Sequence, residues 1–292
     1  SCTHASLLEN RTSMTHNAIE NYPELHNEIA AWPSFLDEAL APGTLVGKRI
    51  VVTGAGDGIG KALAKSLACF GADVILLGRT RTKLEAVFDW IKQHTSTDPV
   101  IVPCDLAQLD TDTVSALAES ISGHYGSLQG LVHCASMLGP KIPLVHYPAD
   151  QWQTVMQTNV NAVFMLNQGL FDLLDQGDPG CVIHVSSSVG IQGRAYWGAY
   201  SASKFALEGL SQILADETET AGKIRVYSVN PGGTRTAMRR EAYPLEDPQT
   251  LPIPEKHMGL FLFLLAGSLI PDLIKHPLPA TGAQLDARSW LT

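Results

Sequence analysis

The chain is expected to fold as an α/β protein built on a doubly wound parallel sheet, in one domain over residues 47–292 behind an N-terminal extension, residues 1–46. Two patterns lead there. From Lys48 onward, short apolar and β-branched runs alternate with amphipathic stretches of helical length, and strands joined by helical crossovers form a parallel sheet covered on both faces. The first of these runs, Arg49-Ile-Val-Val-Thr-Gly-Ala-Gly-Asp-Gly-Ile-Gly60, passes directly from strand to glycine turn to helix. With 45% hydrophobic residues in 292, the chain can bury one large core.

The extension carries six acids (Glu9, Glu20, Glu24, Glu28, Asp37, Glu38) against Arg11 alone, 1 − 6 = −5. Ile29, Trp32, Phe35 and Leu36 are spaced as one face of a short helix that Pro33 interrupts, so the segment is expected to lie on the surface or be partly disordered. Met14 is a candidate natural start, and Pro42-Gly43 a linker into the domain. Strands are predicted at Arg49–Thr53, Asp73–Leu77, Val100–Pro103, Gly130–Cys134, Cys181–Ser186, Arg225–Val229 and Ala283–Asp286. Helices are predicted between them, over 59–69, 82–94, 111–124, 149–174, 198–219 and 255–267.

Composition removes several function classes. The net charge, 20 − 29 = −9, argues against nucleic acid or an anionic membrane as the main partner. The apolar run from Gly259 to Ile270 is too short to span a bilayer and reads as a buried helix. No basic region followed by an apolar core opens the chain, so no secretory leader is expected. The five cysteines are odd in number and scattered, without disulfide or zinc spacing, which fits a reduced, cytoplasmic protein and no metal site.

In such sheets ligands bind beyond the carboxyl ends of the strands. After the first strand, Gly54 and Gly58 allow backbone N–H groups to approach a pyrophosphate, and Gly60 lets the following helix pack close, its dipole favouring the anion. After the second strand come Gly78 and Arg79, a cation where an NAD-selecting protein places an acid. Asp57 opposes that assignment from the glycine loop, with Arg81 or Lys61 as candidate offsets. Tyr200 and Lys204 sit four apart on one helix face, and a neighbouring ammonium can lower a phenol's pKa by ~1–3 units, which suits proton transfer. Ser187 lies at the carboxyl end of the fifth strand.

Thr53-Gly-x3-Gly-Ile-Gly, Asp105, Asn159, Ser187, Tyr200, Lys204 and Pro231-Gly232, in this order, resemble the short-chain dehydrogenase/reductase family, whose fold is Rossmann-type. The resemblance covers about residues 47 to 290. Gly56-Asp-Gly-Ile-Gly60, Trp197-Gly-Ala-Tyr200 and Asn230-Pro-Gly-Gly-Thr-Arg-Thr-Ala-Met238 look like its bacterial YciK-type reductases. The resemblance implies hydride transfer between NADP(H), with NAD as the other candidate, and a small carbonyl or alcohol substrate. Tyr200 would be the general acid/base, Lys204 would lower its pKa and bind the nicotinamide ribose, Ser187 would polarise the carbonyl, and Asn159 would hold a relay water. Cofactor contacts are implied for Gly54, Gly56, Asp57, Gly58, Ile59, Gly60, Arg79, Asp105, Leu106, Ala135, Tyr200, Lys204, Pro231, Gly232, Thr234 and Thr236. A homodimer or homotetramer is implied as well.

The family's usual Asn-Asn-Ala-Gly is replaced here by His133-Cys-Ala-Ser136, and Cys134 cannot make the amide hydrogen bonds that pin that loop. Two rival functions follow. A 3-oxoacyl-thioester reductase would use Arg194, Arg235, Arg239 and Arg240 for an acidic carrier, and a non-catalytic dinucleotide sensor would be the meaning of the altered 133–136 run. Met137, Leu138, Arg194, Trp197 and Tyr243 are expected to line the substrate pocket, under a lid over 234–258.

Overall fold

The computed structural model describes residues 18–290, so Met14 and the start of the extension lie outside the described residues. Strands β1 (Arg49–Thr53), β2 (Asp73–Gly78), β3 (Val100–Pro103), β4 (Gly130–His133), β5 (Gly180–Val185), β6 (Ile224–Asn230) and β7 (Gln284–Asp286) form one sheet in the order β3-β2-β1-β4-β5-β6-β7. Every neighbouring pair is parallel. The chain winds outward from β1 in both directions, and the gap this leaves at the carboxyl ends of β1 and β4 is where such sheets bind ligands.

The apolar runs are continuous because both faces are covered. Ile50, Val52, Val74 and Leu76 face α3 (Gly58–Cys69), α4 (Arg81–His94) and α11 (Met258–Leu269). Val51, Ile75, Leu131 and Val182 face α5 (Thr111–Tyr125), α7 (Ala162–Gly169), α8 (Phe171–Gln176) and α9 (Gly198–Glu219). The run from Gly259 is indeed a buried helix, entered through a 3-10 turn at Pro254–His257. Among the described residues no helix is long and apolar enough to cross a membrane.

Two expectations change. The helix expected over 149–174 is divided into α6 (Ala149–Met156), a π turn (Gln157–Asn161), α7 and α8. Side-chain bonds from Asn159 across to the loop after β4 accompany the wide turn. A Cβ on Gly169 would lie 2.2 Å from Val114 Cγ1, so the chain is pressed against α5 just before it breaks at Leu170.

Residues 18–46 lie deeper than a surface extension would. Tyr22, Leu25, Leu36, Leu40 and Leu45 are buried in the same cluster as β1 and α11, with α1 (Pro23–Ile29) and α2 (Ser34–Asp37) separated at Pro33. Tyr22 Oη donates to Glu255 at 2.6 Å, and the Lys65 ammonium lies 3.8 Å from the Tyr22 ring centre and 4.0 Å from that of Trp90. Leu36→Ala should therefore lower unfolding free energy by about 2–4 kcal/mol in denaturant titration. A change under about 0.5 kcal/mol would show that the segment is only loosely attached.

Candidate active site

One cleft of about 950 Å³ opens at the carboxyl ends of β1, β4, β5 and β6. Its floor is the glycine loop. Gly54 and Gly58 take φ of +67° and +50°, and a Cβ on Gly60 would come within 2.3 Å of the Gly54 carbonyl oxygen, so α3 can start this close to β1 only with glycine there. Asp57 caps α3 by accepting the Gly58 N–H at 2.8 Å.

At the far side of this loop lie Gly78, Arg79, Thr80 and Lys83. A Cβ on Gly78 would stand 3.1 Å from Leu84 Cδ2, which leaves little room for an acid. The cation that pairs with Asp57 is Lys83, with Lys61 adding a weaker pull; Arg81 instead pairs with Glu85 at 3.6 Å. Burial works against the Asp57 carboxylate, but Lys83 and the Gly58 N–H outweigh it and hold its pKa below the ordinary value.

The other end of the cleft holds the proton-transfer candidates. The Tyr200 phenol is pushed up to about 12 by burial, tempered by the hydroxyls of Ser187 and Ser136. Lys204 is only 3% exposed, donates to the Val185 carbonyl at 2.8 Å, and is brought down to about 8 by burial against the opposing pull of Cys134 and Glu208. Its ammonium lies 5.4 Å from the centre of the Tyr200 ring, turned to the backbone rather than bonded to the phenol. Gly190 permits this arrangement, since a Cβ there would meet Lys204 Cβ at 2.8 Å.

Asn159 does not line the cleft. Its amide accepts from Met137 N–H at 2.8 Å and donates to the Met137 carbonyl at 2.9 Å and to Ser203 Oγ at 3.0 Å. With Thr53 Oγ1 accepting from Ala135 N–H at 3.1 Å, it pins the loop that Cys134 leaves without amide bonds. Below the loop, His133 and His184 stand in register on β4 and β5, stacked with 5.1 Å between ring centres and bridged by the Asn167 amide. Burial keeps His133 low, at about 4, and His184 well below its usual value, so both are neutral beside the Lys204 ammonium.

A model of the short chain dehydrogenase family matches residues 48–247, more than half of the chain. The protein is a short-chain dehydrogenase/reductase. Over 216 residues, 74% of this chain and 85% of the relative, it is 49% identical to the oxidoreductase YciK of Escherichia coli strain K12. A short chain dehydrogenase of Shigella flexneri solved with NADP superposes with a TM-score of 0.78 at 44% identity, over 84% of this chain and 99% of that one. One from Escherichia coli CFT073, solved with NADPH, gives 0.77 at 44%, over 84% and 98%.

In this dehydrogenase the cleft fits a nicotinamide dinucleotide on its own chemistry. The glycine cradle would be filled by any side chain, and Ser186 Oγ is buried in the cleft wall without a partner among the described residues. Asp105, Leu106, Ala135, Pro231, Gly232, Thr234 and Thr236 all reach the wall, as do Gly56 and Ile59. Some of their polar atoms are already engaged: Asp105 accepts from Ala107 N–H at 3.0 Å, Thr234 Oγ1 pairs with His257 at 2.8 Å, and Thr236 caps α10 (Ala237–Ala242). Lys83 joined the site unannounced. Lys83 lies 26 residues from Asp57, and no spacing rule connects a lysine in the first turn of α4 to an acid in the glycine loop.

Two of the four arginines considered for an acidic carrier are committed elsewhere. Arg235 donates to the carbonyls of Pro248, Gln249 and Leu251, and Arg239 forms a two-pronged pair with Glu246 at 2.6 Å. Met137, Leu138 and Trp197 line the substrate end together with Met238 and Ala242, while Tyr243 stands behind, packed on Trp197 at 5.9 Å. Gly60→Ala should abolish dinucleotide binding in a nicotinamide fluorescence titration while circular dichroism stays native. Retained binding would mean that α3 can retreat from β1.

Proposed function

We propose that the protein is an NADP(H)-dependent carbonyl reductase or alcohol dehydrogenase with Tyr200 as general acid/base. The observation that carries this reading is a single cleft with an anion cradle at one end and Tyr200, Ser187 and Lys204 at the other. The nicotinamide, when bound, donates or accepts the hydride. Ser187 holds the substrate oxygen, and Tyr200 delivers the proton to it as it becomes an alkoxide. A phenol held at about 12 is protonated at neutral pH, yet is far more acidic than an alkoxide's conjugate acid, which titrates near that of water, ~15.7. Lys204 supplies positive charge at the nicotinamide-ribose end without spending its proton, and Asn159 positions the loop that forms the wall.

Arg79 and the lack of an acid at Gly78 support NADP over NAD, as do the NADP and NADPH bound in the two structural neighbours. The thioester-reductase alternative is left with the exposed Arg194 and Arg240 alone. The sensor alternative loses its support where Thr53 and Asn159 pin the altered loop. Phe164 on α7 and Phe205 and Ile213 on α9 are 49%, 47% and 56% exposed, an apolar surface that a homodimer or homotetramer would bury.

Tyr200→Phe should bind NADPH normally and lose at least ~10² in turnover; undiminished turnover would sink the acid/base assignment. The reduction rate should be level at lower pH and fall as pH rises through about 8, where Lys204 loses its charge; a profile flat to pH 10 would exclude Lys204 from the step. Arg79→Ala should lower the NADPH-to-NADH affinity ratio by roughly 10-fold, and an unchanged ratio removes Arg79 from cofactor choice. Light scattering at micromolar concentration should give a multiple of 31.4 kDa, and a monomer would refute the oligomer.

A further inference from the structure

The ion pair between Asp57 and Lys83 joins the glycine loop to the first turn of α4 at the adenosine-ribose end of the cleft, and both residues line it. A carboxylate in the glycine loop ought to repel a 2′-phosphate, which makes its presence in an NADP-binding cleft a problem. Two features resolve it. Asp57 is bound on one side to the Gly58 N–H at 2.8 Å, so it cannot swing away without uncapping α3. Lys83 is held against the loop, because Gly56 lies so close that a Cβ there would meet Lys83 Cβ at 2.9 Å.

We propose that this pair is displaceable and sets the dinucleotide preference: Asp57 keeps Lys83 at the rim, and an incoming 2′-phosphate takes the ammonium over. This rests on the NADP reading above. Both side chains are about half exposed, 54% for Lys83 and 55% for Asp57, so the pair is held weakly and exchange costs little. A phosphate monoester brings roughly −1.5 to −2 charges against the single charge of Asp57, and so wins Lys83. NADH brings no such group, and with it the pair stays closed. Arg79, which has no acid partner among the described residues, and Lys83 then clasp the phosphate from two sides. Asp57 is the internal anion that the phosphate replaces.

The test is a fluorescence titration of NADPH and NADH, at fixed ionic strength, against wild type, Lys83→Met, Asp57→Asn and Arg79→Ala. Methionine keeps the methylenes that pack on Gly56, and asparagine still caps α3. Lys83→Met should weaken NADPH roughly 10-fold and leave NADH unchanged. Asp57→Asn should tighten NADPH several-fold, again without changing NADH. Equal weakening of both cofactors in Lys83→Met would reduce Lys83 to a structural role, and NADPH no tighter in Asp57→Asn would remove the exchange; either overturns the proposal. If Arg79→Ala loses NADPH preference while Lys83→Met does not, the exchange fails and the NADP reading stands. Wild type that binds NADH as tightly as NADPH would bring down both.

Discussion

The buried ammonium of Lys204 is the constraint to which the rest of the site conforms. Taking a charge out of water is costly unless it is hydrogen-bonded and faced by groups that tolerate it. Here the Val185 carbonyl takes one proton, Gly190 removes the side chain that would otherwise block the lysine, and Glu208, one turn further along α9, supplies distant negative charge. The imidazoles nearest to it are kept neutral by burial and share one asparagine between them. Cationic imidazoles there would compete with Lys204 for the same scarce compensation.

This arrangement also accounts for how two groups on one helix face divide their work. A lysine committed to the backbone does not pull the phenol down, and burial leaves Tyr200 near 12 in the protein alone. A group so protonated is suited to the reductive direction, in which it gives up a proton to a stronger base. The hydroxyls of Ser187 and Ser136 supply the local pull, and Ser136 does so from the position that distinguishes this chain from the family's usual glycine.

The altered run after β4 shows how a loop can keep its place when its usual side chains change. His133 turns into the buried layer, Cys134 lines the cleft as a thiol pushed up to about 12 by burial, and backbone pinning passes to Thr53 and Asn159. Asn159 can reach Met137 from a helix because the π turn around it opens the local geometry. The same bonds join the loop to Ser203 on α9, so the walls of the site are one connected unit.

The sequence by itself determined the strands, their parallel pairing, the glycine cradle and the presence of Tyr200, Ser187 and Lys204 at strand or helix ends. Each of these rests on a local period or on a residue type that backbone geometry demands within a few positions. Tertiary structure alone decided that Lys83 answers Asp57, that Asn159 clamps Met137, that the helix expected over 149–174 breaks, and that Leu25 and Leu36 belong to the central core. Those depend on which side chains meet across loops and helices far apart in the chain. Distance along the sequence carries no record of that, whereas a 3.6-residue or two-residue period repeats within a single element.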